Sequence, residues 1–255
     1  MSAAAEPARR GERIWVALDS ASQSDRALEV AALLAHRERA ELAGLFVEDV
    51  DLLRLAGLPL ASEISPISAM LRPLGFAELE RQLRSQAAGL ERELARLARG
   101  AGLTWSFQVR RGKPLAEAMA LPAADVMVIA GRRPAAPLPP AHGRVPRAAR
   151  GAVIVLQDAS PAAARTLALA RELTVRLGAT LEVVAAATEP AAGTRPAGPP
   201  REPPGRLARA AGAVLDAQAR RADALLVLSA RDPAAATREL LEDLLPALHC
   251  PLVLA

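Results

Sequence analysis

Short apolar runs alternate with longer amphipathic stretches along this chain. Residues 13–18 (RIWVAL) form an apolar run ending at Asp19, the pattern of a strand buried on both faces. Ser22 and Asp25 stand three residues apart, a capping-box-like helix start. Ala27, Leu28, Ala31, Leu34 and Ala35 then recur at helical spacing, with Arg26, Glu29, Arg37 and Glu38 elsewhere on the wheel. Residues 42–47 (LAGLFV) predict the second strand, and 50–73, with Pro59, Pro66 and Pro73, an irregular stretch. The longest helix is expected over 76–99, where Phe76, Leu79, Leu83, Ala87, Leu90, Leu94 and Leu97 share one stripe and Gly100 and Gly102 end it. That stripe suits packing on the helix's own sheet better than a coiled-coil seam. Residues 104–109 alternate like a strand, 113–121 read as a short helix, and 126–130 (VMVIA) as a fully apolar strand.

The pattern then starts again. At an offset of 139, Ile14 matches Val153, Val16 Val155, Asp19 Asp158, Arg26 Arg165, Leu28 Leu167, Ala31 Ala170, Leu34 Leu173, Ala40 Ala179 and Leu42 Leu181. At an offset of 98, the block from Ala124 (AADVMVIAGRR) lines up with ADALLVLSAR from Ala222, and Asp125 falls on Asp223. The second half is therefore shorter by 41 residues in its middle. It predicts strands at 152–156, 181–185, 225–228 and 251–254, with helices from Ser160-Pro161 to Gly178, over 206–221 and over 234–248. Residues 188–204, with six prolines, read as a linker or disordered loop standing where the first half has its long helix and third strand. Strand-helix alternation with apolar strands implies α/β architecture with parallel sheets covered on both faces. Only one strand is expected between 132 and 157, and the repeat gives it to the second half. The first half then lacks a closing strand, and the last strand, near Val253, lacks an intrachain twin.

Composition narrows the classes. The chain has 255 residues, about half hydrophobic, enough for a buried core. One cysteine, Cys250, excludes an intramolecular disulfide, and its place before an apolar strand reads as a small buried hydrophobe rather than a catalytic thiol. His36, His142 and His249 are too scattered for a metal cluster. No apolar run reaches the roughly 18 residues of a membrane span, and the first 13 residues lack the apolar core of a signal peptide. A cytoplasmic location is expected, with no membrane and no nucleic-acid partner. The pI near 10.6 reflects arginine chemistry, because the net charge is only +4. Arg132, Arg133, Arg144, Arg147 and Arg150 lie in a stretch, 126–157, without one acidic residue. Without interleaved aromatics it does not read as a nucleic-acid surface, and its five prolines suit a solvated linker.

RIWVALDSASQSDRALEVAALLA, LAGLFVED, ADVMVIAGRR, GAVIVLQDASPAAARTLALA and the closing HCPLVLA together resemble the universal stress protein family. The resemblance covers most of 13–133 and, in pieces, 151–255. It implies two open parallel-sheet modules of the adenine-nucleotide α-hydrolase-like type in tandem, the second truncated. The expected layout is a disordered N-terminus at 1–11, a first module at 12–133, a Pro/Arg-rich linker at 134–150, and a second module at 151–255 with a flexible Pro-rich loop at 188–205.

The resemblance also supplies candidate site residues. In ATP-binding members an Asp ends the first strand near the adenine and ribose, the place of Asp19 here and Asp158 in the second half. A carboxylate at a parallel strand's C-terminal end sits at the usual ligand crevice, although Asp19 could equally cap the following turn. The second-strand backbone near Val47 would flank the adenine. The family's phosphate loop reads Gly, two residues, Gly, nine residues, then Gly and Ser or Thr. Gly131 fits the first place, but Pro134 stands at the second and Arg144-Val145 at the third. Proline donates no N–H, so the usual phosphate cradle is expected to be lost. In the second half Ser229 replaces the first Gly, and no glycine follows. Arg132 and Arg133 could hold phosphate by charge instead. The leading expectation is a stress-response or signalling interaction module, not an enzyme, with no cofactor, an unidentified protein partner, and a homodimer through the C-terminal strand. The alternative is an ATP- or AMP-binding protein with slow hydrolysis in the first half, at Asp19, Val47, Gly131, Arg132 and Arg133. A pyrophosphatase-type Gly-Gly loop and a G-x-S-x-G nucleophile elbow are both missing.

Overall fold

The structure, a computed structural model, describes residues 13–22, 24–64, 70–121, 126–132, 151–157, 163–185, 205–219, 224–229 and 235–255. The expected terminus at 1–11, the linker at 134–150 and all of the expected Pro-rich loop at 188–205 except Gly205, which starts a helix, lie outside the described residues. Two compact units form: Met1–Ser20 with Leu28–Val128, and Ala21–Ala27 with Ile129–Ala255.

In the first unit, β1 (Arg13–Asp19) leads through α1 (Ser24–Glu38) to β2 (Glu41–Asp49). α2 (Val50–Ala56) and an antiparallel hairpin of β3 (Ser62–Ile64) and β4 (Leu71–Pro73) follow, then α3 (Phe76–Gly100), β5 (Trp105–Gly112), α4 (Pro114–Met119) and β6 (Val126–Ile129). The strands lie in the order β5-β2-β1-β6, with β1/β2 and β2/β5 parallel. The consecutive buried residues of β1 and β2 show both faces covered, whereas edge strand β5 mixes half-buried and exposed positions. Helix α3 packs on β2 and β5 and buries Leu79, Leu83, Ala87 and Leu94 from its predicted stripe; Phe76 is exposed and Leu90 and Leu97 are half-buried. Gly44 makes that contact possible, because a Cβ there would stand 2.5 Å from Phe107 and 2.8 Å from Leu94.

The second unit runs β7 (Ala152–Gln157), α5 (Ala163–Leu177), β8 (Thr180–Ala185), α6 (Gly205–Ala219), β9 (Ala224–Leu228), α7 (Ala235–Leu244), a 3-10 turn (Leu245–Ala247) and β10 (Leu252–Leu254). Its order is β10-β9-β7-β8, every pair parallel. The order β2-β1-β6 of the first unit thus recurs as β8-β7-β9. The two units also end a helix alike. After α1, Arg39 takes a left-handed φ of 52° and the Ala40 N–H donates to the Ala35 carbonyl at 3.0 Å. After α5, Gly178 takes 59° and the Ala179 N–H donates to the Thr174 carbonyl at 2.9 Å. Both caps fall at the offset of 139, and the bond pattern is that of a Schellman turn.

Three expectations are corrected. The described part of 50–73 carries regular elements: Asp49 accepts the Asp51 N–H at 2.9 Å to cap α2, and β3 and β4 pair antiparallel. Helix α1 starts at Ser24, because Ser22 instead forms an antiparallel bridge with Arg132. The C-terminal strand is not an open edge. β9 pairs with β10 on one side, and Gly131 and Arg132 of the same unit lie against Cys250 and Leu248, which lead into it.

Candidate nucleotide site

Asp19 ends β1 with its side chain half-buried, and the parallel register sets it directly beside Val47 of β2. These two candidates are therefore brought together in the first unit, at the carboxyl ends of central strands, as the strand pattern implied. Val47 itself, side chain and backbone together, is only 1% exposed.

Gly131 and Arg132 belong to the second unit, where the chain itself occupies them. A Cβ on Gly131 would lie 2.5 Å from the Cys250 carbonyl oxygen and 2.6 Å from the Cys250 nitrogen. Glycine is needed there so that residues 130–132 can pass the main chain of Cys250. The Arg132 N–H donates to the Leu248 carbonyl at 2.7 Å, and the Arg132 carbonyl lies 3.2 Å from Nδ1 of His249. The Arg132 N–H is thus turned to protein, not to a phosphate, which does not fit the cradle an adenine nucleotide would need. Arg133, Pro134, Arg144 and Asp158 lie outside the described residues.

A buried amide holds the same turn. Gln218 of α6 accepts the His249 N–H at 3.1 Å and the Cys250 thiol at 3.4 Å, and donates to the Ala247 carbonyl at 3.4 Å. Burial pushes the Cys250 thiol up to about 12, with backbone hydrogen bonds from Leu226 and its own N–H opposing. At neutral pH it is a protonated core group without thiolate character.

Sequence reasoning missed a second polar cluster, at the carboxyl ends of β2 and β5. Register sets Glu48 beside Arg111. The Arg111 guanidinium bridges Glu48, at 2.9 Å, and Glu80 of α3, at 3.1 Å, and these bonds raise its pKa further, Glu48 contributing most. Lys113 reaches Asp51 at 3.4 Å. The signal was available: acidic Glu48 and Asp49 close one apolar strand, and Arg110-Arg111 close the next. Nearby, a cleft of about 360 Å³ is lined by Val50, Leu53, Arg54, Gly57, Phe76 and Arg111. Among the described residues, no three His, Cys, Asp or Glu side chains could together hold a metal ion, and no helix is long and apolar enough to cross a membrane.

No family model matches the chain, and no curated protein matches it. Among solved structures, the chain is similar to a universal stress protein from Archaeoglobus fulgidus DSM 4304, at 13% identity and a TM-score of 0.44 over 95% of each chain. The fold class stands on strand order and register: a mainly parallel α/β protein.

Proposed function

We propose that this chain is a universal stress protein-like interaction module of two related halves, acting in a stress response or in signalling, and that it neither holds nor turns over an adenine nucleotide. The sequence blocks around Asp19, Asp125, Asp158 and Asp223 support the family reading. One observation carries the loss of nucleotide: Gly131 and the Arg132 N–H, at the start of the expected phosphate loop, are spent on Cys250 and Leu248. The interaction role belongs to the same family reading, on a sheet scaffold that by itself implies no particular chemistry. A cytoplasmic location and an unidentified protein partner belong to the same reading.

A second reading keeps one specific support, the Asp19–Val47 pair at the carboxyl ends of β1 and β2. An adenosine could use it without a phosphate nest, giving an ATP- or AMP-binding protein with slow hydrolysis. The test is direct. The purified chain is heat-denatured, the supernatant is resolved by anion exchange, and fresh protein is titrated calorimetrically with ATP and with AMP. We expect no co-purified nucleotide and no binding heat. Stoichiometric nucleotide, or micromolar binding abolished by Asp19→Ala, would replace the first reading with the second.

A further inference from the structure

The cleft beside Arg111 lies wholly in the first unit and shares no residue with Asp19, Val47, Gly131 or Arg132. Three elements build it. Val50, Leu53 and Arg54 come from α2, with Gly57 just after it; Phe76 opens α3, and Arg111 stands near the end of β5. Its volume of about 360 Å³ falls at the lower end of the roughly 300–1,000 Å³ of small-molecule sites. The walls are mostly carbon. Leu53 is buried, Val50 is half-buried, and Gly57 adds no side chain. Phe76 is left 43% exposed, and an aromatic ring gains most when another ring covers it.

The two polar members of the lining are guanidinium groups, and both have N–H donors to spare. Arg111 donates from Nε and Nη2 to Glu48, at 3.0 and 2.9 Å, and from Nη2 to Glu80 at 3.1 Å. Among the described residues nothing takes its Nη1. Arg54 makes one bond, from Nη1 to Asp51 at 3.2 Å, and its side chain is 77% exposed. A guanidinium presents its N–H groups as a planar fork that fits a carboxylate. The charge balance limits what the fork can hold. Arg54, Arg111 and Lys113 are matched by Asp51, Glu48 and Glu80. That leaves no net positive field for a polyphosphate or another multiply charged anion. A single carboxylate can use the spare N–H groups without displacing the acids.

We infer that this cleft binds a small aromatic monocarboxylate, with its ring system against Phe76, Leu53 and Val50 and its carboxylate on the spare N–H groups of Arg111 and Arg54. Glu48 and Glu80 hold the Arg111 fork in place and also compete with the ligand for it. The site does not rest on the interaction role proposed above.

The experiment is isothermal titration calorimetry of the full chain with 2-naphthoate. Controls are 2-naphthylmethanol, which has the ring without the charge, and acetate, which has the charge without the ring. Expected is one site per chain with a Kd of about 0.1–1 mM, and binding of either control weaker by about tenfold or more. Arg111→Gln should weaken 2-naphthoate binding about tenfold or more. Arg54→Gln and Phe76→Ala alter exposed side chains, so the fold stays intact, and each should weaken binding about two- to tenfold. Glu80→Gln should tighten it about two- to fivefold, because it removes a competitor for the fork; a merely structural Arg111 would give no such gain. Excess ATP should leave the titration unchanged. A wild type that binds 2-naphthoate no better than the alcohol or acetate overturns the inference. So does an affinity that Arg111→Gln and Arg54→Gln leave intact, one that Glu80→Gln fails to raise, or competition by ATP.

Discussion

At Arg39 the chain adopts a left-handed conformation that costs an L-residue with a Cβ about 1 kcal/mol, while its counterpart Gly178 adopts it freely. Arg39→Gly should therefore stabilise the protein by about 0.5–1 kcal/mol, measured by urea denaturation. A neutral or negative change would mean that the Arg39 side chain contributes more than its backbone costs. Gly131 is the reverse case. Gly131→Ala forces a methyl against the Cys250 main chain, which cannot yield as a side-chain tip could. The expected loss is about 1–3 kcal/mol in the same assay, with no effect on any nucleotide titration. Wild-type stability in that variant would mean that the glycine is spare and free to serve a ligand.

The segment from the 3-10 turn into β10 is held by Gln218 and ends in a buried thiol. The folded state holds the Cys250 proton up to about 12, against an ordinary thiol value of 9.0. Because the folded value is the raised one, this contribution to stability is complete below pH 9. It is lost as pH climbs from 9 toward 12. At pH 8 the native thiol should be inert to an aromatic disulfide reagent, and one equivalent should react once guanidinium unfolds the chain. Rapid native reaction at pH 8 would show that residues 247–250 open readily. Element boundaries teach a related lesson. The apolar runs marked β2 as 42–47 and β5 as 104–109, but the strands reach Asp49 and Gly112. Glu48 and Arg111 are polar, so periodicity stops before them, yet the ladder runs on through this pair, whose side chains meet across the strands.

Across the chain, burial predicts a gradient of protection. β1, β2, β7 and β9 are hydrogen-bonded on both sides and buried along their length, while β5 and β8 each have one strand neighbour among the described residues. Amide exchange followed by mass spectrometry should be slowest in the former four strands, and faster in β5 and β8. Exchange in β8 as slow as in β7 would indicate that something covers its outer edge.

The linear pattern of apolar and polar residues was enough for the parallel α/β class, the main strands and helices, and the repeat, because strand and helix periods and cap residues are local properties. The family resemblance named Asp19 and Val47 together, and only the register of β1 and β2 shows them side by side. The linear pattern could not reveal what Gly131 is for. A glycine that admits a phosphate and a glycine that admits another stretch of main chain look identical in sequence. Their difference lies in Cys250, 119 positions away, brought there by the closing strand. Nor could it read the segment after Asp49, where a short capped helix and backbone hydrogen bonds among Leu55, Leu58, Ala61 and Leu74 replace the regular apolar period. Long-range contact alone distinguishes a ligand loop from a packed turn.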